Sequence, residues 1–351
     1  TVIGMRYSVD VYRRFPEEVG GLIVPIVENG YLFLLSDDAA VAAARVRVAM
    51  QRSVGLDEVE LLSASEAAAR FPFVDPGAIA GATWCPSDGF LRPSVVYGEA
   101  ASSARVRGVT LIQGAPVDGA RHSGGRLTAV QAGGEWFEGD LFVDATNIWS
   151  PRLAPILGAE VLPIAPTKRY LWFLVRGGSM SAAELLAMPM VVGPTGAYCH
   201  PENADTLMTG LAHDAESEPD FTYDDQDLLE GAFDHRSGAD SKAYDAWLSL
   251  AEVMPPVGEF AGIHATTSGY YGVTPDHNPF LGFDRQVPNL VRLAGFSGHG
   301  AMFGPFCARV AEVLAAAGHD VPTIEVLGRQ VSMAPFSVGR KFDGPPLGRA
   351  G

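Results

Sequence analysis

The sequence predicts a two-domain α/β protein, and three observations carry that reading. Its 351 residues exceed what one small core organises. Short apolar runs of strand length alternate with segments of helical period. Near the carboxyl end, Leu293-Ala-Gly-Phe-Ser-Gly-His-Gly-Ala-Met-Phe-Gly-Pro305 hands an apolar strand over to a helix through a glycine-flanked histidine.

The elements follow in order. Tyr31 to Leu35 is a short buried strand, and Asp38 to Val54 an alanine-rich helix ended by Gly55. Ser63-Ala-Ser-Glu66 is a capping box that opens a second helix, stopped before Pro72. Pro93 to Arg107 is helical and leads into a strand over Val109 to Gln113. Leu141 to Ala145 is a strand, and Ser150-Pro151 then reads as an N-cap with proline at the first helical position. From about 160 to 265, strand-like runs such as Tyr170 to Val175 alternate with an acidic helical patch, whose Asp224 to Asp227 run is a solvated face. Leu290 to Ala294 is a strand. Pro305 to Ala317 is a helix, with Phe306, Val310, Val313, Leu314 and Ala317 at helical spacing. The glycine- and proline-rich end reads as a tail packed on the surface.

Composition narrows the function classes. A formal charge of −16 argues against a sequence-independent hold on nucleic acid or anionic lipid. Cys85, Cys199 and Cys307 show no CxxC spacing, which suggests neither a disulfide framework nor a zinc site and fits a reducing cytoplasm. No run is apolar for the roughly 20 residues of a membrane span, and no signal-peptide pattern opens the chain. Nor do the histidines show ligand spacing such as HxxxH.

The strand, glycine-rich turn and helix start around His299 make an anion site. Free N–H groups of the first helical turn point outward, and the macrodipole adds partial positive charge. Gly298 and Gly300 permit φ > 0 and close approach of a ligand to the backbone. On these grounds alone a plain tight turn and a structural histidine remain open. A second stretch, Tyr270-Tyr-Gly-Val-Thr-Pro-Asp-His-Asn-Pro-Phe-Leu-Gly282, reads by itself as a hairpin with a Pro-Asp turn.

Together the two stretches resemble the FAD-dependent amine oxidoreductases of the D-amino-acid oxidase superfamily. The branch is that of sarcosine oxidase beta subunits and dye-linked proline dehydrogenases, where "TPDHNPxxG" precedes a strand ending in "GFSGHG". Glu28 to Leu34, Leu61 to Pro72, Gly81 to Pro93 and Val143 to Leu153 match further blocks of that pattern, in one order from about residue 5 to 330. The resemblance implies a glutathione-reductase-like FAD-binding domain, N-terminally incomplete, built from 1–20, 86–158 and 266–330. It also implies a substrate domain with an antiparallel sheet from 21–85 and 159–265, and a C-terminal tail over 331–351.

The resemblance implies roles as well. The turn Gly298-His299-Gly300 would lie beside the flavin pyrimidine edge and stabilise charge gathering at N1 and C2=O. A hydride would leave the α-carbon of a small amine or amino acid (sarcosine, proline or glycine type) for flavin N5, giving an imine that water hydrolyses. Val117, Ala145, Thr146, Trp149, Gly269, Asp276, Ala301 and Met302 match further cofactor-side positions. Tyr271, His299 and Met302 stand as catalytic candidates. Tyr198, His200 and His213 fall where the family forms its substrate ceiling, and the alternative of polar residues on an exposed sheet face stays open beside that role.

Four departures qualify the match. No GxGxxG opens the chain: Val2-Ile-Gly4 is followed by Met5-Arg-Tyr, and Thr1 aligns roughly sixty residues into the family pattern. Thr146-Asn147 replaces an Ala-Gly pair, so a Cβ stands where backbone meets cofactor. Gly269 replaces the cysteine that attaches flavin in monomeric sarcosine oxidases, so FAD is expected to be non-covalent. Met302 replaces a lysine that binds substrate carboxylate, and Met208 loosely matches an oxygen-activating lysine, which favours a dehydrogenase over an oxidase. A partner chain that supplies the missing dinucleotide-binding unit or accepts electrons is the expected associate. The competing expectation is a flavin-less scaffold or regulatory subunit of an amine dehydrogenase complex.

Overall fold

Two sheets of unequal completeness organise the chain. A computed structural model describes residues 2–212 and 242–342, which fall into two units. One unit comprises Thr1–Pro25, Arg92–Thr167 and Tyr270–Gly351; the other comprises Ile26–Leu91 and Lys168–Gly269. His213 and the Asp224 to Asp227 run lie outside the described residues.

The second unit is built on an eight-stranded sheet. Its strand order is Gly262–Val273, Ala165–Val175, Thr206–Leu211, Ala197–Asn203, Met190–Val192, Tyr31–Leu35, Gly81–Cys85, Glu60–Ser63. Alternation at period two decides which side chains go inward. Leu32, Leu34, Trp172, Leu174, Val191, Cys199 and Leu207 enter one core with Ala243, Ala246, Leu250 and Val253, which recur at helical spacing on Lys242–Val253. The alternate residues fall on the other face: Phe33 pairs with Val192, Val192 with Tyr198, and Met208 lies opposite both His200 and Phe173. Short helices are secured locally. The expected capping box joins Ser63 and Glu66 at Ala64–Arg70, and a second joins Ser181 and Glu184 at Ala182–Ala187.

The first unit holds a sheet of only three strands, Phe280–Phe283, Leu290–Ala294 and Phe142–Asp144. The first pair is antiparallel and the second parallel, with Leu290 opposite Phe142. Phe142–Asp144 is therefore an edge strand, and Val143 on it is 50% exposed. A meander of Val117–Ser123, Arg126–Ala132 and Glu135–Glu138 stands apart, its two turns made by Gly124-Gly125 and Gly133-Gly134, all at positive φ.

Helix Gly300–Ala317 covers the small sheet with Phe303, Phe306, Cys307, Val310 and Leu314. By length and composition this helix could cross a membrane, and its buried stripe accounts for much of that apolar content. It starts at Gly300, not at Pro305 as the sequence suggested, because the N-terminal helix Val2–Arg13 repairs the proline. Pro305 has no N–H for the carbonyl four residues back. That carbonyl, Ala301 O, accepts instead from Tyr12 Oη at 2.6 Å, while the next amide, Phe306 N, donates to Ser8 Oγ at 3.2 Å. Gly4 lets the two helices close: a Cβ there would stand 3.2 Å from the Phe306 ring.

Two expectations are corrected. The strand over 109–113 does not form, and Val109 and Ile112 are about half exposed. A strand exists by its ladder, and no described strand lies alongside this segment. Residues 331–342 are no surface tail: Val331, Met333, Phe336 and Val338 are buried, because their apolar side chains close the cores over the small sheet. Residues 343–351 lie outside the described residues.

Candidate active site

The turn that opens helix Gly300–Ala317 is built from left-handed backbone. Gly295, Ser297 and Gly298 have φ of 79°, 50° and 85°, and three such residues in four reverse the chain tightly enough to present its amides. Two glycines are required by neighbours as well as by φ. A Cβ on Gly298 would stand 2.6 Å from the Tyr271 ring, and one on Gly295 would stand 2.4 Å from Thr274 Cγ2. Gly298, His299, Ala301 and Met302 are exposed. The amides of Gly300, Ala301 and Met302 precede the helical ladder and face outward with the positive end of the macrodipole. His299 is the N-cap residue, though its side chain makes no capping bond. Its ring keeps an accessible edge, yet crowding by protein holds the imidazole below the ordinary histidine value, and His277 adds to the shift.

Three neighbouring segments hold this turn. The first runs from Asp144 to Ser150. Arg292, wholly buried, donates from Nε to Asp144 Oδ2 at 3.1 Å, from Nη1 to Asp284 Oδ2 at 2.6 Å and to Glu160 O at 2.8 Å, and from Nη2 to Ser150 Oγ at 2.7 Å. Asp144 Oδ1 in turn accepts from Thr146 N and Thr146 Oγ1. Buried charge is tolerated here because each charged group is hydrogen-bonded. The loop fixed in this way presents Ala145, Thr146 and Trp149 at the surface. Asn147 takes a positive φ, 53°, which asparagine tolerates better than most residues with a Cβ. Its side chain does more than tolerate the turn: Oδ1 accepts from Gly295 N at 3.0 Å and Phe296 N at 3.3 Å, tying this loop to the glycine turn.

The second segment is the Thr274 to Asn278 turn. Ser297 N donates to Gly272 O at 2.9 Å, and Thr274 N donates to Ser297 Oγ at 3.1 Å. His277 has φ 57°. Asp276, expected on the cofactor side, has its carboxylate engaged by both Arg340 Nε and Nη2 at 2.9 Å. Burial raises the Asp276 carboxyl, but the Arg340 bonds and charge, with the Asn278 bonds, leave it below the usual carboxylate range. The third segment is the N-terminal helix, through Tyr12 on Ala301 O; burial pushes the Tyr12 phenol well above its ordinary value.

The remaining sequence-derived candidates are dispersed. Val117 pairs with Ala132 and packs beside the cluster of Leu127, Leu157 and Leu290. Gly269 is exposed with open space where a Cβ would be, so packing does not demand a glycine there. Tyr198 and His200 share one face of the eight-stranded sheet in the other unit. The Tyr198 ring lies across Gly210, where an added Cβ would be 2.4 Å away, and His200 stacks on Phe90 at 4.2 Å between centroids. Desolvation lowers the His200 imidazole below its ordinary value. Met208 lies on this same face opposite His200, 7% exposed.

Sequence reasoning missed Tyr12, Arg292 and Arg340, and did not foresee the bonds from the glycine turn to Asn147 Oδ1. Pro305 inside a helical pattern was a legible signal for the first, because the carbonyl it orphans needs a donor.

Comparison with known proteins agrees with this architecture. A family model described as FAD dependent oxidoreductase (DAO) matches residues 5–313. Mitochondrial sarcosine dehydrogenase of Homo sapiens is 24% identical over 305 residues, 85% of this chain and 32% of that protein. The chain thus spans about a third of the length of the sarcosine dehydrogenases it matches. Glycine oxidase of Geobacillus kaustophilus is 25% identical over 320 residues, 91% of this chain and 76% of that one. Among solved structures, L-proline dehydrogenase from P. horikoshii superposes with a TM-score of 0.75 at 25% identity, over 90% of this chain and 79% of that chain. Geobacillus kaustophilus glycine oxidase shares the fold, with a TM-score of 0.73 at 20% identity, over 97% and 82% of the two chains.

Proposed function

Since this chain belongs to the FAD dependent oxidoreductase family, we propose that it carries the ring-side half of a flavin site that oxidises a small amine or amino acid. The observation that carries the reading is the left-handed turn at Ser297 and Gly298, opening a long helix whose first amides precede its hydrogen-bond ladder at exposed Ala301 and Met302. Bound FAD would supply the hydride acceptor; the chain supplies fixed N–H dipoles at Gly300, Ala301 and Met302, where negative charge would develop. Tyr271, lying across Gly298, is the side chain best placed to border that charge. Gly269 offers no sulfur for a covalent link, so the cofactor is held non-covalently. Met302 and Met208 offer no ammonium, which favours a dehydrogenase passing electrons to a carrier over an oxidase using oxygen.

The residues fit the ring end of the cofactor and not its pyrophosphate end, for which the sequence holds no GxGxxG. We therefore propose that a strand–helix–strand segment outside this sequence, on the same polypeptide or on a partner chain, completes the site. Among the described residues no strand pairs the outer edge of Phe142–Asp144 or the 109–113 segment, which supports this reading. Calorimetric titration with FAD tests both parts. The chain alone is expected to show little thermal stabilisation, and the chain joined to its own upstream-encoded segment a clear rise in Tm by mass action. No rise in the joined protein defeats the flavin reading and favours a flavin-less scaffold, for which the Asn147 side chain among the backbone segments is the motivating observation.

A further inference from the structure

We infer that Arg340 is a positioning residue of the flavin-side turn, acting through the Thr274 to Asn278 loop; the inference rests on the flavin reading above. Arg340 lies beyond residue 313, where the family match ends. The structure nevertheless spends the whole guanidinium on that loop and its own strap. Nε and Nη2 clasp the two Asp276 oxygens at 2.9 Å each, Nη2 also donates to Asn278 O at 2.6 Å, and Nη1 donates to Pro279 O at 3.1 Å and Ser337 O at 3.2 Å. The cation lies 3.9 Å over the Phe280 ring, and the side chain is 7% exposed. A planar fork with five donors suits this arrangement, and a point-charge ammonium does not.

The connection to the site is continuous. Asn278 O, which Arg340 holds, also accepts from Thr274 Oγ1 at 2.8 Å. Thr274 N donates to Ser297 Oγ, and Ser297 N to Gly272 O. Two non-glycine residues at positive φ, His277 and Ser297, stand at either end of this chain of bonds. Such a conformation crowds the Cβ against the backbone and persists only where its surroundings fix it. Arg340 fixes the loop around His277, and Thr274 passes that constraint to Ser297. The neighbouring exposed surface salt bridge Arg285–Glu160 touches neither residue.

The test compares R340M and R340K with R285M in the full-length protein, by amide exchange of Thr274 and Ser297 and, in FAD-loaded protein, by kcat and KM. R340M is expected to raise exchange at both amides at least tenfold and to lower kcat about tenfold with KM changed less than threefold. R340K should recover less than half of either effect, and R285M should match the parent. The inference is overturned if R340M leaves both amides protected, or if R285M reproduces its effects and so marks general destabilisation. The exchange measurement needs no flavin, so loss of the flavin reading alone leaves it standing as a separate result.

Discussion

The eight-stranded sheet and the three-stranded sheet solve the same problem to different degrees. In the larger one, Leu32, Trp172 and Leu174 are essentially inaccessible beneath helices, and Ala165–Val175 alternates between that core and the other face. In the smaller one, Leu290–Ala294 is buried throughout, yet its parallel neighbour Phe142–Asp144 has no described strand on its outer edge and Val143 half in solvent. Parallel strands are normally covered on both sides. The contrast leaves Val143, with Val109 and Ile112 of the non-strand 109–113 segment, as apolar side chains that no described strand covers. Buried ion pairing around Arg292 holds the small sheet together despite that deficit.

Loss of Arg292 should harm the smaller sheet most and spare the larger one. Arg292→Met strands Asp144 and Asp284 without a counter-charge inside the protein, at a cost of about 3–5 kcal/mol. Urea unfolding with amide exchange should place that loss in strands 142–144 and 290–294 and spare the eight-stranded sheet. A uniform loss over both sheets would refute the idea that Arg292 supports the smaller one specifically. The matching change in the larger sheet is Leu174→Ala, whose side chain is 0% exposed. It should cost about 2–5 kcal/mol by lost burial and cavity formation, seen as a lower urea midpoint with unprotected amides across Ala165–Val175 and Thr206–Leu211.

A smaller effect distinguishes the two faces of the large sheet. Gly210→Ala places a methyl 2.4 Å from the Tyr198 ring and must push that ring off its strand, at a cost of about 1–3 kcal/mol. Its signature would be altered near-ultraviolet dichroism with the Lys242–Val253 packing intact. Acid offers a milder probe of the smaller sheet's surroundings. The Asp276 carboxyl lies below its reference of 3.8 in the folded protein, so the Arg340 latch is fully stabilising above that pH and weakens as pH falls through the folded value. Protection of the Thr274 and Asn278 amides relative to the unfolded chain should therefore be flat from pH 8 to about 5 and fall selectively below about 4. A fall beginning near pH 6 would implicate the histidines instead.

Much of this was legible, and the failures have a common cause. The capping box at Ser63, the helix over 38–53 and the turn at Gly298 follow from local chemistry, which needs no knowledge of distant residues. The family resemblance likewise rests on ordered local blocks. Arg292, Arg340 and Tyr12 act across 148, 64 and 289 positions of sequence. No periodicity links such pairs, and an arginine in a glycine-rich tail looks the same in sequence whether solvated or clamped. The 109–113 segment failed for the opposite reason: its pattern is that of a strand, and only the absence of a described neighbour decides against one.

A substitution on the outer edge of the small sheet should cost least in this chain. Val143→Lys replaces a half-exposed side chain on that edge. For this chain alone the change should stay within about 0.5 kcal/mol, as surface substitutions do. Lysine is also a residue by which natural sheets discourage edge pairing. If a strand-bearing segment covers Phe142–Asp144 in the complete protein, the same substitution buries a charge there and should weaken its assembly or FAD retention at least tenfold. Equal tolerance in the isolated chain and in the completed protein would mean that this edge faces water in both, and the two sheets would then differ only in size.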